Sequence, residues 1–155
     1  MVDGRPLKWL TLVDECTREC LALQVAGSMV GTDVRRVLAQ AIGRRGAQAR
    51  LRSDNGAEFI CEALQGWLPK AGTKSIPVAP GSPWENGFIE SFNSRFRDEF
   101  LNGEEFETVA DARAKASWWR RECGTIRPRS SLSCRTPQEF SAERDRGRNC
   151  KSPGE

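Results

Sequence analysis

Two acidic residues stand out by their surroundings. Asp54 lies in Ser53-Asp54-Asn55-Gly56, and Glu90 in Ser82-Pro83-Trp84-Glu85-Asn86-Gly87-Phe88-Ile89-Glu90-Ser91-Phe92-Asn93, with 35 residues between the two carboxylates. Carboxylates brought together from distant positions can hold divalent cations. A pair of such cations activates the attacking oxygen and steadies the leaving oxygen in phosphodiester chemistry. The composition removes the main competitors. There is no histidine, which excludes Ser-His-Asp and Cys-His catalysis. Cys16, Cys20, Cys61, Cys123, Cys134 and Cys150 include no Cys-x-x-Cys pair, so they make no zinc set and are expected to be free thiols.

The elements that must position Asp54 and Glu90 follow from periodicity. Residues 7–13 and 19–25 are short apolar runs flanking a polar turn, an expected antiparallel hairpin. Val34, Val37, Leu38, Ala41 and Ile42 recur at helical spacing, and Gly43 is placed to end that helix. Residues 49–53 are expected as a strand delivering Asp54 to its C-terminal end, with Gly56 supplying backbone freedom for a sharp turn. Phe59, Ile60, Ala63, Leu64, Trp67 and Leu68 predict one helix stopped by Pro69, and residues 74–78 a further strand. Residues 80–87 read as a loop. Phe88, Phe92, Phe96 and Phe100 then form one apolar stripe, leaving Glu90, Asn93, Ser94 and Arg97 on the other side of the helix. Thr108 is a candidate N-cap with Asp111 placed to reciprocate. The helix it opens has Val109, Ala112, Ala116 and Trp119 on its inner face and Arg113, Arg120 and Arg121 off it. Residues 126–132 read as an extended loop, and Pro137 opens a last short helix.

At 155 residues the chain is one domain's worth. The expected division is a core over residues 1–143 and a flexible tail over 144–155, rich in charge, Gly and Pro. No apolar run reaches membrane-spanning length and the start is not a signal peptide, so a cytoplasmic protein with no membrane partner is expected. The net charge of +3 says little; its distribution says more. Residues 34–53 hold six arginines and no acid, and residues 113–135 hold seven basic residues against Glu122 alone. Such clusters either neutralise phosphates or form a solvated surface.

Taken together, the Ser53–Gly56 motif, the loop before Glu90 and the spacing of 35 resemble the integrase-type catalytic core of bacterial insertion-sequence transposases. That group shares an Asp, Asp-(35)-Glu triad with retroviral integrases, and the match runs from about Leu7 to Phe140. The resemblance implies an α/β, RNase H-like integrase catalytic core. It implies Asp54 and Glu90 as catalytic and metal-binding residues, with two Mg²⁺ (or Mn²⁺) ions in the intact site. It also implies DNA (transposon ends and target) as substrate, and a homo-oligomer of transposase protomers as the working form. Asn93 and Arg97, on the Glu90 side of the helix, are candidate contacts to DNA phosphates.

The sequence departs from the family's pattern in two places. The family's first catalytic Asp sits on a first strand, central in a sheet of order 3-2-1-4-5, upstream of the hairpin that starts here at Leu7. Asp3 lies in a turn signal and Asp14 matches a hairpin-turn residue rather than the metal ligand. Where the family commonly reads Tyr-Asn-x-x-Arg-Pro-His-Ser-Ser-Leu-Gly-Tyr, this chain has Cys123-Gly124 and Arg127-Pro128-Arg129-Ser130-Ser131-Leu132-Ser133-Cys134. The expectation is an N-terminally truncated transposase fragment lacking the central strand. Its parent would perform metal-dependent DNA strand cleavage and strand transfer, and the fragment alone would be inactive. One alternative is a non-enzymatic truncated protomer that binds DNA or full-length transposase and damps it. Another is an RNase H-like nuclease that cuts without joining, against which the loop leading to Glu90 argues.

Overall fold

A hairpin feeds two separate hydrophobic cores, one from each face. β1 (Lys8–Val13) pairs antiparallel with β2 (Cys20–Ala26), from Lys8 opposite Ala26 to Leu12 opposite Ala22, and Val13 then skips to Cys20. The computed structural model describes residues 4, 6–47, 49–54, 56–78 and 87–149. The extra residue at Leu21 is a bulge, and it returns Cys20 to the same face as Leu23. The turn between the strands is held by Asp14, whose Oδ1 accepts from the N–H groups of Cys16 and Thr17 at 2.8 and 3.0 Å. Asp14 is thus a turn residue, as its position in the hairpin suggested.

Beneath one face lies α1 (Gly31–Arg45). It continues past Gly43, where the sequence pattern ended it, and stops at Gly46, whose φ of 81° is left-handed. A glycine one turn from the end costs too little to break a helix whose last turn carries Arg44 and Arg45 against its negative end. β3 (Arg50–Ser53) and β4 (Lys74–Pro77) form a second, parallel pair, Arg50 opposite Lys74 through Ser53 opposite Pro77. The crossover between them is not one helix but two, α2 (Ala57–Ile60) and α3 (Glu62–Trp67), broken where Cys61 takes an extended ψ of 139°. The break leaves Ile60 57% exposed and Ala63 outside the core, contrary to the expected inner face. Leu64 and Leu68 are buried, and join Leu10, Ala22, Val34, Val37 and Leu38 in the core under the hairpin.

The other core is aromatic. α4 (Gly87–Phe96) runs into a π-helical turn, Arg97–Leu101, and α5 (Val109–Thr125) packs across it. Phe92, Phe96 and Phe100 bury against Trp119, with Phe96 and Trp119 centroids 4.9 Å apart and Trp9 of β1 set edge-on to Phe96 at 5.2 Å. The stripe is shorter than expected, since Phe88 is 49% exposed. Thr108 caps α5 by accepting from Asp111 N at 3.0 Å, and Asp111 accepts from Glu107 N at 3.2 Å. Two arginines expected to stand off α5 reach β2 instead: Arg113 Nε donates to Val25 O at 3.2 Å and Arg120 Nη1 to Leu21 O at 2.7 Å. They occupy carbonyls of β2 in a fold whose sheets, among the described residues, are two strands wide.

α6 (Pro137–Asn149) is a helix through Asn149, so the tail boundary expected at residue 143 falls inside it. It opens at Pro137, as expected, with a capping box: Glu139 Oε2 accepts from Thr136 N at 2.9 Å while Thr136 Oγ1 accepts from Glu139 N at 3.3 Å. The two strand pairs do not join into one sheet, and among the described residues no strand lies between β1 and β3. Cavities of about 360 and 270 Å³ fill that space. Thr11 and Leu12 line both from β1, Leu51 and Arg52 from β3, Leu38 from α1 and Ile89 from α4.

Candidate active site

Asp54 follows β3 directly, so the last strand residue, buried Ser53, fixes where its backbone emerges. Its exposed carboxylate is held by the chain just after it, Oδ1 accepting from Gly56 N at 3.0 Å. Gly56 has an ordinary φ of −58°, so the expected conformational freedom is not what the site uses. It uses space. A Cβ on Gly56 would stand 3.1 Å from Asp54 Oδ1 and 3.0 Å from Glu58 Oε2. Two carboxylates therefore flank this glycine, and Glu58 is one that no spacing argument singled out.

Asp54 and Glu58 line the 270 Å³ cavity together with Ile89 and Asn93 of α4. Glu90 is exposed in the first turn of that helix, next to Ile89. The strand end bearing Asp54 and the helix bearing Glu90 thus wall one cavity, although Glu90 itself is not among its described lining residues. Loop residues 79–86, which include Trp84, Glu85 and Asn86, lie outside the described residues. Asn93 departs from expectation. It is half-buried, and its Oδ1 accepts from Thr11 Oγ1 at 3.0 Å, pinning α4 to β1. The cause is geometric: Asn93 follows buried Phe92 around the helix, on the side that meets the hairpin. Arg97 is exposed, as expected.

The basic clusters are largely engaged within the fold. Arg45 bonds Glu19 and Ser141, Arg36 pairs with Asp33 at 2.9 Å, and Arg52 pairs with Glu15 at 3.2 Å. Among the described residues no three His, Cys, Asp or Glu side chains form a metal-holding group. Asp54 and Glu90 supply oxygen donors, the type that hard divalent cations take.

The sequence matches two family models described as integrase core domain, one over residues 1–83 and the other over residues 71–137. The chain belongs to the integrase core domain family. This integrase core is 41% identical over 142 residues to an uncharacterized 39.2 kDa protein of insertion element IS476 from Xanthomonas euvesicatoria. It is 27% identical over 131 residues to the transposase of insertion sequence element IS904 from Lactococcus lactis. The matches cover 92% and 83% of the chain but 41% and 52% of those relatives, so the integrase core spans about half of their length. Among solved structures, the BIV integrase catalytic core superposes with a TM-score of 0.69 at 18% identity, over 94% of this chain and 99% of that one. The HTLV-2 integrase catalytic core domain in complex with magnesium gives 0.61 at 13% identity, over 90% and 88%. These likenesses establish the α/β, RNase H-like fold of an integrase core. No helix among its described residues is long and apolar enough to cross a membrane.

Proposed function

We propose that this integrase core is the larger part of the catalytic core of a DNA transposase, one that cleaves DNA strands and joins transposon ends to target DNA. The observation that carries this reading is the placement of Asp54 and Glu90, with 35 residues between them in sequence, at the end of a strand and the start of a helix that wall one cavity. In each step a hydroxyl oxygen, of water or of a DNA 3′ end, would form a bond to phosphorus as the P–O bond opposite it breaks. The relatives from insertion elements favour the same chemistry, as does a neighbour of like fold solved with magnesium.

Asp54 and Glu90 are the residues that would hold Mg²⁺ or Mn²⁺, and such ions when bound would lower the cost of charge at the attacking and leaving oxygens. The protein's part is positioning. Gly56 N–H holds Asp54 Oδ1 at 3.0 Å and so fixes the carboxylate at the end of β3. Glu90 stands near the positive end of α4, where a carboxylate is favoured. Glu58, beside Asp54, would raise the local negative charge and with it the affinity for a cation.

The 155-residue polypeptide alone is proposed to be inactive in strand transfer. The space between β1 and β3, where the sheet would otherwise continue, holds no strand among the described residues. Incubating the chain with donor-end DNA and Mg²⁺ or Mn²⁺ tests this; robust joined product would overturn the proposed inactivity. A second reading follows from the same open space. The chain would be a protomer that pairs with full-length transposase and damps it. Co-purification with the intact enzyme and lowered transposition frequency would support that role; a chain that neither binds nor damps would exclude it.

A further inference from the structure

We propose that a pocket at the start of α4 is a phosphate-binding site, built by Arg18, Arg95 and Arg129 to hold a backbone phosphate of the DNA strand that passes Glu90. The pocket has a volume of about 580 Å³. Arginines 18, 95, 127 and 129 line it, and Glu99 is the one acid among its described lining residues. Glu99 is already committed, since it bonds Arg127 and lies 3.8 Å from Arg95 Nε. Positive charge is therefore left in surplus.

The surplus is held in place rather than free to leave. Arg18 sits in the hairpin turn with φ of 58°, left-handed for a residue with a Cβ, and its N–H donates to Asp14 O at 2.8 Å. Its guanidinium carbon lies 3.4 Å from the centre of the Phe88 ring. Phe88 thus meets a cation from the hairpin turn while Phe92, Phe96 and Phe100 bury in the aromatic core. Arg129 donates from Nη2 to Cys123 Sγ at 3.3 Å, a weak acceptor. Arg18 Nη1 and Arg129 Nε are buried with no hydrogen-bond partner among the described residues. Burial holds the Arg129 guanidinium below the ordinary arginine range, and Arg95 and Arg18 push it the same way, against an opposing effect of Cys123.

Buried donors without acceptors and crowded like charges both destabilise a fold, and an anion relieves both. A planar guanidinium matches phosphate oxygens with two parallel bonds, and the hydroxyls of Ser91 and Ser130 in the same lining add neutral donors. The location selects the source of the phosphate. Phe88 and Ser91 line the pocket on the same turn of α4 that carries Glu90, so a phosphate held there lies beside the helix that bears the carboxylate, on a neighbouring face. This inference rests on the reading of the chain as a DNA-processing core, and its test separates the two.

Thermal unfolding of the 155-residue chain is followed in sodium phosphate and in sodium chloride at equal ionic strength. A saturable rise in Tm specific to phosphate is expected, lost in Arg18→Gln and Arg129→Gln. Arg36→Gln, on an exposed face of α1, should keep it. Equal Tm in both salts for the unsubstituted chain overturns the site. Anisotropy of a labelled DNA duplex over a salt series supplies the second arm. Each of R18Q and R129Q should reduce the slope of log affinity against log salt by about 1, with R95Q as the variant to use if either fails to fold. A phosphate response with an unchanged DNA slope would overturn the backbone-phosphate assignment in favour of a free phosphate. A phosphate response without strand joining by any metal-supplied form of the parent would retain the site and reject the transposase reading.

Discussion

Cys61 Sγ occupies the space where a side chain on Gly31 would begin: a Cβ there would lie 2.0 Å from the sulfur and 3.1 Å from Glu58 O. The first residue of α1 is thereby pressed against the junction of α2 and α3, and through it against the segment that carries Glu58 beside Asp54. Gly31→Ala should destabilise the chain by about 1–3 kcal/mol, the usual cost of overpacking. Adding Cys61→Ala should return most of that loss, because the atom in the way is gone. A double-mutant cycle by urea unfolding reads the coupling; additive losses would show that the contact is not what makes alanine costly.

Trp119 occupies the centre of the aromatic core at 2% exposure, yet its Nε1 has no hydrogen-bond partner among the described residues. Its ring meets Phe92, Phe96 and Phe100 at 5.7, 4.9 and 6.0 Å. Two opposed effects follow for Trp119→Phe. The lost ring volume costs stability, while removal of an unpaired buried donor returns about 1–3 kcal/mol. The substitution should come out near neutral, whereas Trp119→Ala should cost about 3–5 kcal/mol. Urea midpoints for the two variants decide it, and equal losses would mean that the indole N–H is satisfied in solution.

How much of this could be read from the chain itself depends on how local the cause was. The hairpin, β3, β4 and the α5 cap follow from alternation and from Thr108 with Asp111, signals contained within a few residues, and they form where expected. Asp54 and Glu90 stand out in the sequence because the motif around each is local, and their catalytic role belongs to the proposal. Phe88 was misjudged because periodicity counts ring positions and cannot see a guanidinium arriving from Arg18, 70 residues earlier. Asn93 was placed outward for the same reason, since its partner Thr11 is 82 residues away. The helix breaks at Cys61, whose sulfur packs against Gly31 of another helix, a contact that local periodicity cannot register. Glu58 escaped notice because an acid in a first helical turn is ordinarily a solvated charge.

Cys20 and Cys123 face each other's neighbourhood in the aromatic core, while Cys16 and Cys134 are exposed. Burial pushes the Cys20 thiol from 9.0 up to about 12. Only the thiolate is nucleophilic, so at pH 8 iodoacetamide should modify Cys16 and Cys134 and spare Cys20 until the chain unfolds. Peptide mapping by mass spectrometry gives the order directly. The same shift sets a pH dependence. The folded chain keeps the proton that an unfolded thiol would lose, so this stabilisation is complete below 9.0 and is lost as pH rises from there to about 12. Rapid labelling of Cys20 at pH 8 in the folded chain would contradict the packing of this core.

The open space between β1 and β3 makes the most demanding prediction. In a two-stranded sheet each strand pairs along one edge only, and the other edge leaves its backbone groups to water. Here those edges face cavities lined by Leu12, Leu38, Leu51 and Ile89, apolar on the sides of both α1 and α4. A strand buried on both faces reads as a continuous apolar run, so an extended apolar segment is the occupant this space suits. Until one is supplied, residues 8–13 and 50–53 should exchange backbone amides much faster than buried positions of α5 such as Ala112, Ala116 and Trp119. Hydrogen exchange read by mass spectrometry compares these segments in one experiment. Supplying an extended apolar segment in front of residue 1 should then slow exchange in both strands together and raise Tm. Protection of β1 and β3 equal to that of α5 in the 155-residue chain would mean that the two sheets close on each other without a further strand.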